Sequence, residues 1–298
     1  MKYIKTLLAI ILTSTLLAGC DLEKDIKREL KQEANNQIDK GLNELKSKAF
    51  SKKSTVKTSE EDKALIKVQT NEENYALLND NKTTLTDYDQ QLLNQNGNDK
   101  FWANYSDLDN LGRGGRVTAL VTKEAVDSHS SKAQERPSFD STVRLAGEFK
   151  DGTYDPLEKR WKGNESNNQI LQLDGYRGYI YNKSHSLAWS LGGDMETHNL
   201  TLGTRAQNVG SNRASEGGGM GYPETQVRNA IYNHPEAKIY YDVHPVYNND
   251  ELLPRGSHVR AYSINDNGQI VNLNVWVSNT QKGVSINYKD GTYEYWNS

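Results

Sequence analysis

His185 stands at the end of a short aromatic run, Tyr179-Ile-Tyr181, extended by Asn182-Lys-Ser184. Downstream come Leu191-Gly-Gly193, then Asn199 and Asn208 nine residues apart, then Tyr222-Pro-Glu224 and Arg228. These residue types suit the hydrolysis of a phosphodiester, which needs a deprotonated water, a cation on the phosphate oxygens and charge stabilisation for the leaving oxygen. Imidazole titrates near neutrality, so His185 can take the proton. Asn208 can offer a neutral oxygen to a hard cation such as Mg²⁺, which keeps most of its own waters. Lys183 and Arg228 can meet phosphate charge, and Glu224 lies one helical turn before Arg228 on the same face. Taken singly, each has a plainer reading: a loop-holding histidine, a turn-forming asparagine, a solvated ion pair. Arg205, three residues before Asn208, has equal claims as a contact to the substrate backbone and as cover for a helix surface.

These side chains need elements to carry them. Tyr179–Tyr181 reads as a strand that delivers the chain to His185, and helical signals occupy 199–209 and 222–232. Val117-Thr-Ala-Leu-Val121 follows a Gly112-Arg-Gly-Gly-Arg116 turn and reads as a strand. Alternating patterns over 238–247, 258–264, 269–278, 284–288 and 292–296, broken by Asp266-Asn-Gly268 and Lys289-Asp-Gly291, predict further strands. The expected class is α+β with a mixed or antiparallel sheet. Gly217-Gly-Gly-Met-Gly221 lacks the Lys-Ser/Thr of a phosphate loop and reads as a flexible connection. His129, His234, His244 and His258 lack the fixed spacing of a two-histidine zinc motif, and His198 would project from a different face than Asn199.

At the N-terminus, Lys2 and Lys5 precede an apolar run from Leu7 to Ala18, too short for a permanent span, that ends in Leu17-Ala-Gly-Cys20. Cys20 is the sole cysteine. Its place fits thioether lipidation after cleavage of a signal over 1–19, which predicts an extracytoplasmic protein held on the cell membrane by lipid. Lipidation would leave no thiol for a disulfide, a zinc cluster or a nucleophile. Residues 20–68 read as a stalk and linker: apolar residues about every four positions to Leu45, then an unpatterned stretch over 51–67. The body is expected over 69–298 as one domain. A formal net charge of −3 requires positive charge, or metal, to be concentrated at any site that handles nucleic acid.

The spacing resembles that of the DNA/RNA non-specific endonucleases of the ββα-metal, or His-Me finger, class, in the DNA-entry nuclease and secreted DNase branch of Gram-positive bacteria. In that branch a strand leads into Asp-Arg-Gly-His, a glycine pair follows, and a helix carries two Asn nine apart before a Tyr-x-Glu-x-x-x-Arg-like segment. Leu111-Gly-Arg113 and the closing stretch Asn274–Gly291 are similar as well, so about residues 100–298 are covered. The resemblance implies a ββα-metal core and sequence-tolerant cleavage of DNA and RNA. It makes His185 the general base, puts Asn208 at the metal with Asn199 in support, and gives Glu224 and Arg228 outer metal and phosphate roles. The implied ion is Mg²⁺, with Mn²⁺ as its substitute, and no obligate protein partner is implied. Asn182-Lys-Ser-His185 departs from the family pattern, exchanging a bidentate guanidinium for the point charge of Lys183. Residues 136–149 match poorly and carry no assigned role. The alternative is a non-catalytic lipoprotein that binds extracellular DNA or another polyanion; a secreted toxin fits poorly with an anchor.

Overall fold

The computed structural model describes residues 56–210 and 217–296. The signal, Cys20 and most of the stalk lie outside the described residues. The compact unit begins at Thr55, ahead of the expected boundary at 69. The stretch read as an unpatterned linker contains helix α1 (Glu60–Ile66), capped by Ser59, whose side chain accepts from the Asp62 N–H. Thr58 Oγ1 donates to the Tyr247 carbonyl at 3.1 Å, and His244 meets Asp62 at 3.1 Å, so this stretch is fastened to the body.

The main sheet has six antiparallel strands in the order β1-β12-β11-β10-β3-β2. They are β1 (Tyr75–Leu77), β2 (Trp102–Tyr105), β3 (Val117–Val121), β10 (Ile239–Val246), β11 (Gly256–Ser263) and β12 (Asn272–Ser278). The alternation of the sequence explains their positions. β3 and β10 lie inside the sheet and are buried almost throughout, whereas the short β1 and β2 form the edges. Helix α2 (Asp87–Asn96) precedes β2; Asp89 in its first turn completes a capping box with Thr86 and also accepts from Arg260 of β11. Arg260 in turn reaches Asp242 at 2.6 Å, so the buried guanidinium is neutralised from two sides.

On one face of this sheet, helix α5 (Gly221–Asn233) buries Pro223, Val227 and Ile231 into a core with Val243, Val259 and Val275. The helix covers the 222–232 segment as expected. Beyond β3 lies α3 (Lys123–Ser128), and two small hairpins, β4 (Thr153–Asp155) with β5 (Arg160–Lys162) and β6 (Ile170–Leu173) with β7 (Tyr176–Tyr179), lead to the site.

There the chain forms a separate antiparallel pair, β8 (Tyr181–His185) and β9 (Leu200–Thr204), followed directly by helix α4 (Arg205–Val209). This β-β-α unit rests on a second core of Leu171, Ile180, Tyr181, Leu200, Leu202 and Leu253. Strands β13 (Val284–Ile286) and β14 (Tyr293–Tyr295) close the chain as a last hairpin. The fold is α+β with an antiparallel sheet. One expectation fails locally: 199–209 is not a helix. Leu200 and Leu202 alternate into the second core as a strand, and the helix starts only after Thr204, whose hydroxyl accepts from the Gln207 N–H at 2.9 Å.

Candidate active site

The β8–β9 register sets His185 opposite Leu200 and Asn182 opposite Gly203. Gly203 is where α4 folds back onto the hairpin. A Cβ there would lie 2.1 Å from Gln207 Oε1 and 2.8 Å from the Ser184 Cβ, so the close approach needs a residue without a side chain. Alternation along β8 then divides its polar residues. Asn182 and Ser184 meet α4: Ser184 Oγ donates to Asn208 Oδ1 at 3.3 Å, and Asn208 Nδ2 donates to Asn182 Oδ1 at 3.2 Å. Lys183 and His185 meet the segment that precedes Val143. The His185 imidazole lies 5.6 Å from the Phe139 ring, centroid to centroid, and Lys183 Nζ lies 5.5 Å from that ring while donating to the Val143 carbonyl.

His185 is 8% exposed, with Nε2 3.3 Å from Met195 Sδ. Burial, reinforced by the Arg136 charge, lowers its pKa from the usual 6.5 to about 4. The imidazole is therefore held in the neutral form that a general base requires. Lys183 is also lowered by burial.

The 187–194 loop between the strands is pinned from inside by Asn199. Fully buried, Asn199 accepts from the Leu187 N–H at 2.8 Å and donates to the Leu187 and Asp194 carbonyls, both at 2.9 Å. Its amide is committed to the backbone, where it holds the loop that follows His185. Gly193 packs beneath it; a Cβ there would meet the Leu187 carbonyl oxygen at 1.9 Å. His198 is another loop tie, 2.7 Å from Asp194 and stacked on Tyr105 at 4.3 Å, in keeping with the plain reading of that histidine.

Helix α5 presents the remaining groups. Arg228 donates to Ser190 Oγ at 3.1 Å and Thr225 Oγ1 at 3.3 Å, which ties it to the loop after His185. Glu224, beside the buried Tyr241, is pushed up to about 8 by burial, against the opposing charges of Arg228 and Arg136. Arg136 thus bears on both His185 and Glu224, which identifies the roof of the site as the segment to which the sequence assigned no role. Arg205 opens α4, half-exposed beside Tyr176. Gly218 and Gly219 are packed rather than loose: the Gly219 N–H donates to the Glu73 carbonyl at 2.7 Å, and at φ +54° a Cβ there would lie 2.3 Å from the Gln207 carbonyl oxygen.

A family model described as DNA/RNA non-specific endonuclease matches residues 156–265, the stretch that contains β8, β9, α4 and α5. That segment is similar to the DNA/RNA non-specific endonucleases. A deoxyribonuclease of Streptococcus dysgalactiae subsp. equisimilis is 30% identical over 201 residues, 63% of this chain and 59% of its own length, so the chain spans less than two thirds of that relative. The structure of Sda1 nuclease with bound zinc ion is similar with a TM-score of 0.60 at 25% identity, over 76% of this chain and 97% of the other. NucA from Streptococcus agalactiae with magnesium bound shares the fold at a TM-score of 0.54 and 21% identity, over 81% and 99%.

Within the matched segment, the donor set narrows what ion could be held. Among the described residues no group of three or more His, Cys, Asp or Glu converges. Among the described residues, the half-buried Asn208 carries two long side-chain bonds on its amide. One neutral oxygen without a thiolate or imidazole cage fits a hard cation that keeps water and takes substrate oxygens, and not a closed zinc site.

Proposed function

We propose that this protein is a surface-anchored, divalent-metal-dependent endonuclease that hydrolyses the backbone of DNA and RNA without regard to sequence. The observation that carries the reading is the β-β-α unit itself: a buried neutral imidazole at the end of β8 and, on α4, an amide oxygen held by one long bond from Ser184 at 3.3 Å, inside the segment that the endonuclease family model matches. His185 takes a proton from the attacking water, and its low pKa keeps it able to do so throughout the neutral range. Asn208 holds Mg²⁺, for which Mn²⁺ can substitute, and the bound ion supplies positive charge to the phosphate as negative charge develops. Arg228, steadied by Ser190, faces the same phosphate from α5. Lys183 contributes its charge from β8 once its ammonium leaves the Val143 carbonyl. Glu224, largely protonated in the free protein, can donate a proton or ionise when a cation arrives. Charge contacts of this kind read the backbone and not the bases, which accounts for sequence tolerance. Attachment of the unit to the membrane by lipid on Cys20 completes the proposal.

The deciding experiment is a gel assay of the purified protein on supercoiled plasmid and on RNA, with Mg²⁺ and with chelator. Nicking and then degradation of plasmid with Mg²⁺, abolished by chelator and by His185→Ala, is the expected result. Retarded but intact nucleic acid under all conditions would instead support the binding-lipoprotein alternative.

A further inference from the structure

Phe139 belongs to a stretch, Arg136-Pro-Ser-Phe-Asp-Ser-Thr142, that is otherwise solvent-exposed. Its hydrogen bonds are internal: the Asp140 carboxylate accepts from the Thr142 N–H and hydroxyl, and the Asp140 carbonyl from the Val143 N–H. Phe139 alone turns inward. Its ring stands 5.6 Å from the His185 imidazole at an interplanar angle of 32°, with Lys183 Nζ 5.5 Å and the Arg136 guanidinium 5.7 Å from it. Rings at that separation are in contact, so no phosphate group fits between them. An imidazole that is 8% exposed cannot take a proton from a water aligned on a polymer until this ring moves. The segment has few bonds to lose when it moves. Once out, it presents an aromatic face beside the scissile phosphate with Arg136 next to it, the pairing of ring and cation on which an unpaired base stacks.

We propose that Phe139 is a substrate-specificity residue, occupying the place above His185 until an unpaired nucleobase next to the cleaved bond replaces the imidazole as its stacking partner. This rests on the nucleic-acid reading of the site above. It predicts a preference for single-stranded stretches over continuous duplex, whose bases are already stacked.

The test measures binding by the full-length chain in chelator, where no cleavage occurs, using oligothymidylate and a blunt duplex of equal length. Phe139→Ala should weaken oligothymidylate binding about tenfold, as expected for losing one base–aromatic contact, and leave the duplex within about twofold. Phe139→Trp should bind oligothymidylate at least as well as the parent. Phe139→Leu keeps apolar bulk without a ring and should behave like the alanine variant. Equal oligothymidylate affinity in parent and Phe139→Ala, loss of both ligands by the same factor, or full binding by Phe139→Leu would each overturn the proposal. A parent protein that binds oligothymidylate through Phe139 yet cuts no plasmid with Mg²⁺ would overturn the enzymatic reading alone, so the two can fail separately.

Discussion

Asn199 and Asn208 are nine residues apart and look alike in the sequence, yet the structure puts them in opposite surroundings, Asn199 fully buried against backbone and Asn208 half-buried with two long bonds, and substitution should separate them. Asn199→Ala removes three hydrogen bonds to the loop that follows His185. The freed Leu187 N–H and carbonyl belong to a fully buried residue, whereas the Asp194 carbonyl can find water. Leaving a buried backbone group unpaired costs about 1–3 kcal/mol, so the two Leu187 groups together amount to about 4 kcal/mol. For a unit of this size that corresponds to a fall in Tm of roughly 8–16 °C. Among the described residues, Asn208→Ala loses two long bonds at a half-buried position, 3.3 and 3.2 Å, and should cost under about 1 kcal/mol. Calorimetry or circular-dichroism melts of both variants beside the parent provide the comparison. Activity supplies the second axis: Asn208→Ala should raise the Mg²⁺ concentration needed for half-maximal cleavage, while refolded Asn199→Ala should keep the parent's metal titration. An Asn199→Ala protein that melts within about 2 °C of the parent, or an Asn208→Ala protein with an unchanged metal titration, would refute the division of labour.

Three further outcomes can be checked independently. With His185 lowered to about 4, kcat/KM should hold steady as pH falls through 6.5 and decline only nearer 4; an acid limb centred at 6.5 or above would contradict a buried neutral base. His185→Gly should be folded and inactive, with cleavage partly restored by added imidazole in its neutral form. Glu224 binds its proton more tightly folded, at about 8, than unfolded, near 4.5, so its contribution to stability is full below 4.5 and is lost as pH rises through 8. Glu224→Gln should flatten the decline of Tm over that window, and parallel curves for the two proteins would show that the carboxyl is ordinarily ionised. Cys20→Ala should abolish palmitate labelling and shift the protein from membrane to medium; continued labelling in the membrane fraction would end the anchor proposal.

Much of the architecture was legible because it follows from local periodicity. Val117–Val121 and the later strands alternate or run apolar with turns between them, and Pro223, Val227 and Ile231 recur at helical spacing on α5. The segment 199–209 misled for a physical reason. Two asparagines nine apart suggest one helix, but Leu200 and Leu202 alternate on a two-residue period, and the helix-start signal is Thr204 with Gln207 three positions on. His185, Asn208, Glu224 and Arg228 could be proposed from residue type and spacing, and the structure puts His185 and Asn208 on one β-β-α unit and ties Arg228 to the loop after His185. Phe139 and Met195 were not. An aromatic in a Pro- and Ser-rich stretch, and a methionine ten residues past the histidine, acquire meaning only when the chain brings them over the imidazole. The role of Asn199 was hidden likewise, since an amide that holds backbone and one that holds a cation are the same residue until burial distinguishes them.

The strand order carries a consequence for how the molecule comes into being. Among the described residues, Tyr75–Leu77 pairs in the sheet with Val275–Val277 alone, some two hundred residues later, and Thr58 is tied to Tyr247 and Asn249. The first strand of the sheet therefore has nothing to pair with while most of the chain is still being made. Contacts of such long separation form slowly, and they form last. Local hairpins such as β6–β7 and β8–β9 need only near neighbours, whereas the main sheet closes only when β10, β11 and β12 arrive.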